Sequence, residues 1–294
     1  MILRFRCGDA EVETDTAAAT SIALPFDPRL AGSRAFGLRR TATPPVDVGG
    51  GRTLAVDRGA SINCADLHLN AHGGGCHIEG VGHISRDPWP LATAALPGLW
   101  PATLLDVPAT RLCESGEHAA GKGAPDDQVL TRATLERALA AATPSVRALA
   151  AEPEAFREAL VLRSDVGGAI GPDFDFHGGG APYPTAEAMA FLAALPTRLL
   201  VLDLPSLDRE DDGGTAPNHA IWWGFPDGDR AVARAARRDR LLVELVRVPP
   251  ALAAGPFLLQ LGVPPIISDA APAGVWLLPV RTTTSEHAER ATGS

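Results

Sequence analysis

Five short stretches in the second half of the chain, at 159–163, 199–204, 241–246, 257–261 and 275–280, are apolar with little interruption. A strand with one wet face alternates polar and apolar residues, so runs of this kind point to strands covered on both faces. Residues 131–142 place Leu135 and Leu139 four apart behind Thr131, which can cap a first turn. Residues 185–195 follow Pro184 and carry Met189 and Leu192 at helical spacing. Strands with few helices predict one α/β domain around a mixed sheet, spanning 1–281. Residues 282–294 are polar and aperiodic, which predicts a frayed, disordered tail.

The chain up to about residue 60 is dense in Pro and Gly, as expected of irregular segments joining short strands. At 61–70, Leu67 and Leu69 alternate with His68 and Asn70, a strand pattern. With 46% apolar residues, the 294-residue chain can bury a sizeable core. A net charge of −9 gives no basic face for a phosphate backbone, so a nucleic-acid partner is not expected. The N-terminus lacks a secretory signal and no apolar run reaches the length of a membrane span, so a cytoplasmic protein without a membrane partner is expected. Cysteines 7, 64, 76 and 113 show no CxxC spacing and read as thiols.

The stretch that carries chemistry runs from His72 through three glycines and Cys76 to His77-Ile-Glu79 and His83. Consecutive glycines argue against a stable helix and allow the backbone a close approach. Beyond them, an extended chain points His77 and Glu79 one way and Ile78 toward the core. An imidazole and a carboxylate converging from one strand suit a divalent zinc or manganese ion. Hydrogen-bonded or surface histidines beside a glycine loop are the other reading, because this is not a zinc spacing that stands unaided.

The same run resembles the signature of the cyclase family, H-x-G-T-H-x-D-x-P-x-H, in a branch with glutamate for the aspartate, a histidine one place earlier and Gly-His at the end. His72, Glu79 and Gly82-His83 match that branch. The likeness continues through Asp203, Ser206 and Asp208, then His219, then Val243-Glu244. It implies the family's swivelling β/β/α fold and a dimer or tetramer. It also implies a divalent metal held by His77, Glu79, His219 and Glu244, with His83 a further ligand or the proton-transfer residue. Gly73 stands where the family has its first histidine, a place His72 can take, and Cys76 stands where it has threonine. On a regular strand His72 would start on the opposite face, so one tightly bound metal per chain is expected.

A divalent ion activates water and polarises a carbonyl, and imidazole, which titrates near working pH, can move the proton. His83 is assigned that role. Trp222 and Trp223, close behind His219, are read as walls of a pocket for an aromatic or planar substrate, with core filling the other reading, and His177 with Asp173 and Asp175 as a loop shaping it in preference to a metal site. Cys76 faces away from His77, His68 reads as a strand residue, His118 and His287 as solvated, and Ser206 as orienting a turn. The expected activity is hydrolysis of small non-peptide amides, aryl formamides or cyclic imides and lactams. A lyase or cyclising enzyme on the same scaffold, or a metal-binding protein without catalysis, are the alternatives.

Overall fold

Nine strands form the central sheet: β1 (Thr20–Ser21), β2 (His77–Glu79), β3 (Leu99–Asp106), β4 (Ala159–Arg163), β5 (Leu199–Leu202), β6 (Leu241–Glu244), β7 (Gly255–Gly262), β8 (Ala270–Pro272) and β9 (Gly274–Pro279). The computed structural model describes residues 1–30, 34–91, 96–164, 175–178 and 180–283. The strand order is β8-β2-β6-β5-β4-β3-β7-β9-β1. Neighbours from β6 to β3 are parallel and both flanks are antiparallel, so the sheet is mixed as predicted.

The apolar runs are explained by two cores on opposite faces of the sheet. Val161, Val201 and Val243 pack into one with Ile78, Trp100 and Leu259. Leu160, Leu200 and Leu242 pack into the other, beneath α2 (Arg132–Arg147), α3 (Ala186–Ala194) and α4 (Pro217–Trp223). Thr131 and Thr185 cap α2 and α3 by accepting the backbone N–H of Thr134 and Ala188. Helix α2 runs past the predicted end at 142 and includes Pro144, with Thr143 and Ser145 donating to the carbonyls of Leu139 and Ala142.

Two expectations for the chain's outer parts are corrected. Residues 61–70 form no strand: Ala65 and His68 make only isolated bridges, and Leu67 is 64% exposed. Alternation there has no core to face. The predicted tail begins inside a last strand, Arg281–Thr282, which pairs with Ala10–Asp15, and 284–294 lie outside the described residues. Among the described residues no helix is long and apolar enough to cross a membrane.

Candidate metal centre

The centre is built where β2 lies between β6 and β8. Register sets Glu244 of β6 directly opposite His77, and Ala270 of β8 opposite Glu79. Ile78 enters the core on one face, so His77 and Glu79 emerge together on the face that carries the helices. All three residues are fully buried.

The glycines before β2 do not continue the strand. Residues Ala71–Gly74 make one turn of helix, α1, whose first turn is capped by the Asn70 side chain accepting the Gly73 N–H. This corrects the expectation that three glycines forbid a helix: a single capped turn needs no propagation. Alternation therefore does not apply to His72, and α1 swings its ring inward until Nδ1 is 3.1 Å from Glu79 Oε2. The close approach allowed by glycine is present. A Cβ on Gly74 would meet the Phe26 ring at 2.6 Å, and one on Gly75 the Leu24 carbonyl at 2.9 Å. Beyond β2, a Cβ on Gly82 would lie 2.0 Å from the Trp89 carbonyl, so glycine is required in the turn that delivers His83.

From the opposite side comes α4. Asp208 accepts the Asn218 backbone N–H at 2.7 Å and takes a 2.5 Å hydrogen bond from His219 Nδ1. Ser206 accepts the Asp208 backbone N–H and so orients this turn. His219 Nε2 is thereby left free and lies 3.1 Å from Glu79 Oε1 and 3.8 Å from Glu244 Oε1. His77 is turned in the same manner. Its Nδ1 faces the Gly75 carbonyl at 3.1 Å, an acceptor only, so Nδ1 carries the proton and Nε2 points 3.4 Å from Glu244 Oε2. His83 Nε2 is 3.8 Å from Glu79 Oε2.

Glu79 Oε1 and Oε2, His77 Nε2 and His219 Nε2 are all buried without a hydrogen-bond partner among the described residues. Buried polar atoms are nearly always satisfied. Four such atoms converge here from β2 and α4, and imidazole nitrogens with carboxylate oxygens suit a first-row divalent ion. Glu79, His83 and His219 offer three ligand atoms within 4.8 Å of one another, as do His72, His77 and Glu79, and also His72, His83 and Asp269.

The carboxylates and imidazoles of the cluster shift one another. Burial pushes the Glu79 carboxyl up, but His83, His219 and His72 outweigh it and hold it well below the usual range. Burial pushes His219 down, and Asp208 and Glu79 more than reverse this, raising it well above its ordinary value. His72 is likewise lowered by burial and raised on balance to about 10 by Asp269 and Glu79. A cation entering the cluster therefore displaces protons.

The structure brings His72, His77, Glu79, His83, His219 and Glu244 together. Of the predicted pocket residues it brings Trp223 beside His219, with 5.6 Å between ring centroids. Trp222 and Trp223 are fully buried on the core face of α4, three and four residues beyond His219 on the same helical side, so neither indole presents an open wall. His177 is exposed and pairs with Glu210 at 2.8 Å; Asp173 lies outside the described residues, and so does His287. His118 is exposed and pairs with Glu187. Cys76 is buried on the other face, where burial pushes its thiol well above the ordinary range. Asp269, which sequence reasoning missed, lies immediately before β8 with its Oδ2 3.0 Å from His72 Nε2 and 3.4 Å from His83 Nδ1. Nothing in the local sequence marks it; only the pairing of β8 with β2 brings it there.

A family model described as "Putative cyclase" matches residues 16–209. No curated protein matches the chain. Among solved structures, a potential metal-dependent hydrolase with cyclase activity superposes with a TM-score of 0.54 at 13% identity, covering 89% of this chain and 98% of that one. Isatin hydrolase A from Labrenzia aggregata, bound to benzyl benzoate, gives 0.56 at 14% identity, covering 88% and 93%. An isatin hydrolase bound to the product analogue thioisatinate gives 0.55 at 14%, covering 89% and 92%. At such identities the likeness is one of fold: a single mixed α/β domain with few helices.

Proposed function

The chain belongs to the cyclase family, and from that premise we propose that it is a metal-dependent hydrolase of small non-peptide amides, aryl formamides and cyclic imides or lactams. The observation that carries the reading is the convergence of four buried ligand atoms without a hydrogen bond, on His77, Glu79 and His219. Those residues and Glu244 would hold the ion. When bound, divalent zinc or manganese supplies Lewis acidity toward a carbonyl oxygen and makes water a stronger acid.

The remaining work falls to the chain. His77, Glu79, His219 and Glu244 lie on strands and a helix locked by core packing, so the ligand geometry is set before anything binds. His72 and His83 form the open side, with side chains 20% and 30% exposed, and an amide reaches the cluster past them. His83 is the general base. Its Nε2 takes the proton of the attacking water and returns it to the nitrogen that leaves. Nδ1, turned to Asp269, keeps the ring oriented for both transfers.

Metal content of the purified protein, measured beside hydrolysis of an N-formyl aryl amine and of a cyclic imide, tests this. The expected result is a bound divalent ion and turnover that is lost with a chelator and restored by zinc or manganese. A protein that holds metal but hydrolyses no member of the panel overturns the hydrolase reading.

A further inference from the structure

The four imidazoles around Glu79 share one arrangement. Each turns a nitrogen toward the glutamate, and each has an acceptor at its other nitrogen. For His77 the acceptor is the Gly75 carbonyl, and for His219 it is the Asp208 carboxylate. For His72 and His83 it is a single oxygen, Asp269 Oδ2, 3.0 Å from His72 Nε2 and 3.4 Å from His83 Nδ1. Their remaining nitrogens, His72 Nδ1 and His83 Nε2, lie 3.1 and 3.8 Å from Glu79 Oε2. The two rings stack at 4.2 Å between centroids with 29° between planes, so one carboxylate can serve both. Asp269 is itself fixed, its Oδ1 accepting the Ser268 hydroxyl and its carbonyl accepting the Gly80 N–H.

We propose that Asp269 is a positioning residue that holds the protons of His72 on Nε2 and of His83 on Nδ1, so that His72 turns a lone pair inward to the ion and His83 keeps one for the water it deprotonates. The proposal rests on the metal reading above. Its chemical content is that a neutral imidazole has one donor and one acceptor nitrogen, and the partner of the donor decides which nitrogen is free. The opposite arrangement is also chemically complete: with the protons exchanged, His72 Nε2, His83 Nδ1 and Asp269 would themselves be ligands of an ion on the outer side. The inner arrangement is favoured because His77 and His219 follow the same rule, and because Glu79 Oε2 is buried while Asp269 is 41% exposed. It also gives the chain a replacement for the nitrogen missing at Gly73. His72, delivered by α1 and oriented by Asp269, supplies it.

The test is competitive zinc titration of the metal-free protein, with tautomers read from long-range nitrogen–proton correlations in zinc-loaded protein labelled with 15N-histidine. In the wild type the protons are expected on His72 Nε2 and His83 Nδ1. Asp269→Ala is expected to weaken zinc binding about 10- to 100-fold. Asp269→Asn, whose amide oxygen still accepts, is expected to weaken it less. Wild-type protons on His72 Nδ1 and His83 Nε2 would make Asp269 a ligand and overturn the proposal, as would unchanged zinc affinity in Asp269→Ala. A wild type that takes up no zinc overturns the metal reading and the proposal together, and so is distinct from either result.

Discussion

Glu79 and Asp203 sit at the ends of nearby strands, β2 and β5, and both are sealed from water at 0% and 1% exposure, yet their surroundings treat them in opposite ways. Asp203 Oδ2 accepts the Ser164 backbone N–H at 2.8 Å, and its Oδ1 has no hydrogen-bond partner among the described residues. Burial pushes its carboxyl up to about 7, against the weaker pull of Ser164 and Arg163. Glu79 is buried at least as deeply, but imidazoles from α1, α4 and the turn after β2 hold it ionised. Burial alone neutralises a carboxyl. A buried negative charge persists only where cations or proton donors are gathered around it, and the fold gathers four histidines at Glu79.

The comparison breaks first at Glu79. Glu79→Ala is expected to abolish metal retention, because the remaining imidazoles and Glu244 lose the carboxylate that all of them face. Asp203→Ala, purified in parallel, is expected to keep wild-type metal content. Elemental analysis decides it: equal metal in Glu79→Ala and wild type would show that the ionised carboxylate is not what the histidines surround.

A smaller effect, confined to chemistry, is expected from His83→Ala. His83 reaches Glu79 only at 3.8 Å and lies at the open rim, whereas His77 and His219 are buried. Turnover of an amide substrate should fall by roughly 100- to 10,000-fold, the usual worth of a general base, while most metal is kept. A folded variant that loses all its metal would make His83 an obligatory ligand.

How much of this was legible in the sequence depends on what kind of order each residue obeys. His77, Ile78 and Glu79 were readable because period-2 alternation is a property of the backbone alone. The strands from 159 onward were readable because a residue run buried on both faces has no other composition open to it. His72 was kept among the candidate ligands, but its face was misread for the same reason that His77 was read correctly: alternation was extended through glycines that instead make a capped turn. Trp222 and Trp223 were misread because helical spacing from His219 says that they share its side without saying whether that side is cavity or packed core. Asp269 was invisible. Its role depends on which strand lies beside β2, and that is a long-range pairing between residues nearly two hundred apart.

The smallest expected effect sharpens the comparison from the other side, through the pH dependence of Asp203. Its folded pKa of about 7 lies above the roughly 3.9 of an unfolded aspartate, so the folded state binds this proton more tightly. The stability this provides is complete below about pH 3.9 and is lost as pH rises through about 7. Asparagine cannot ionise and keeps an oxygen for the Ser164 N–H. Melting temperatures of wild type and Asp203→Asn, compared at equal metal content from pH 4 to pH 9, should therefore diverge in favour of the variant as pH rises, then run parallel above about pH 8. Three pKa units set a ceiling near 4 kcal/mol, and each kcal/mol moves a chain of this size by about 2–4 °C. A difference that stays flat across the range would mean that Asp203 is ionised in the folded protein and has a partner of its own, and the contrast with Glu79 would then fail.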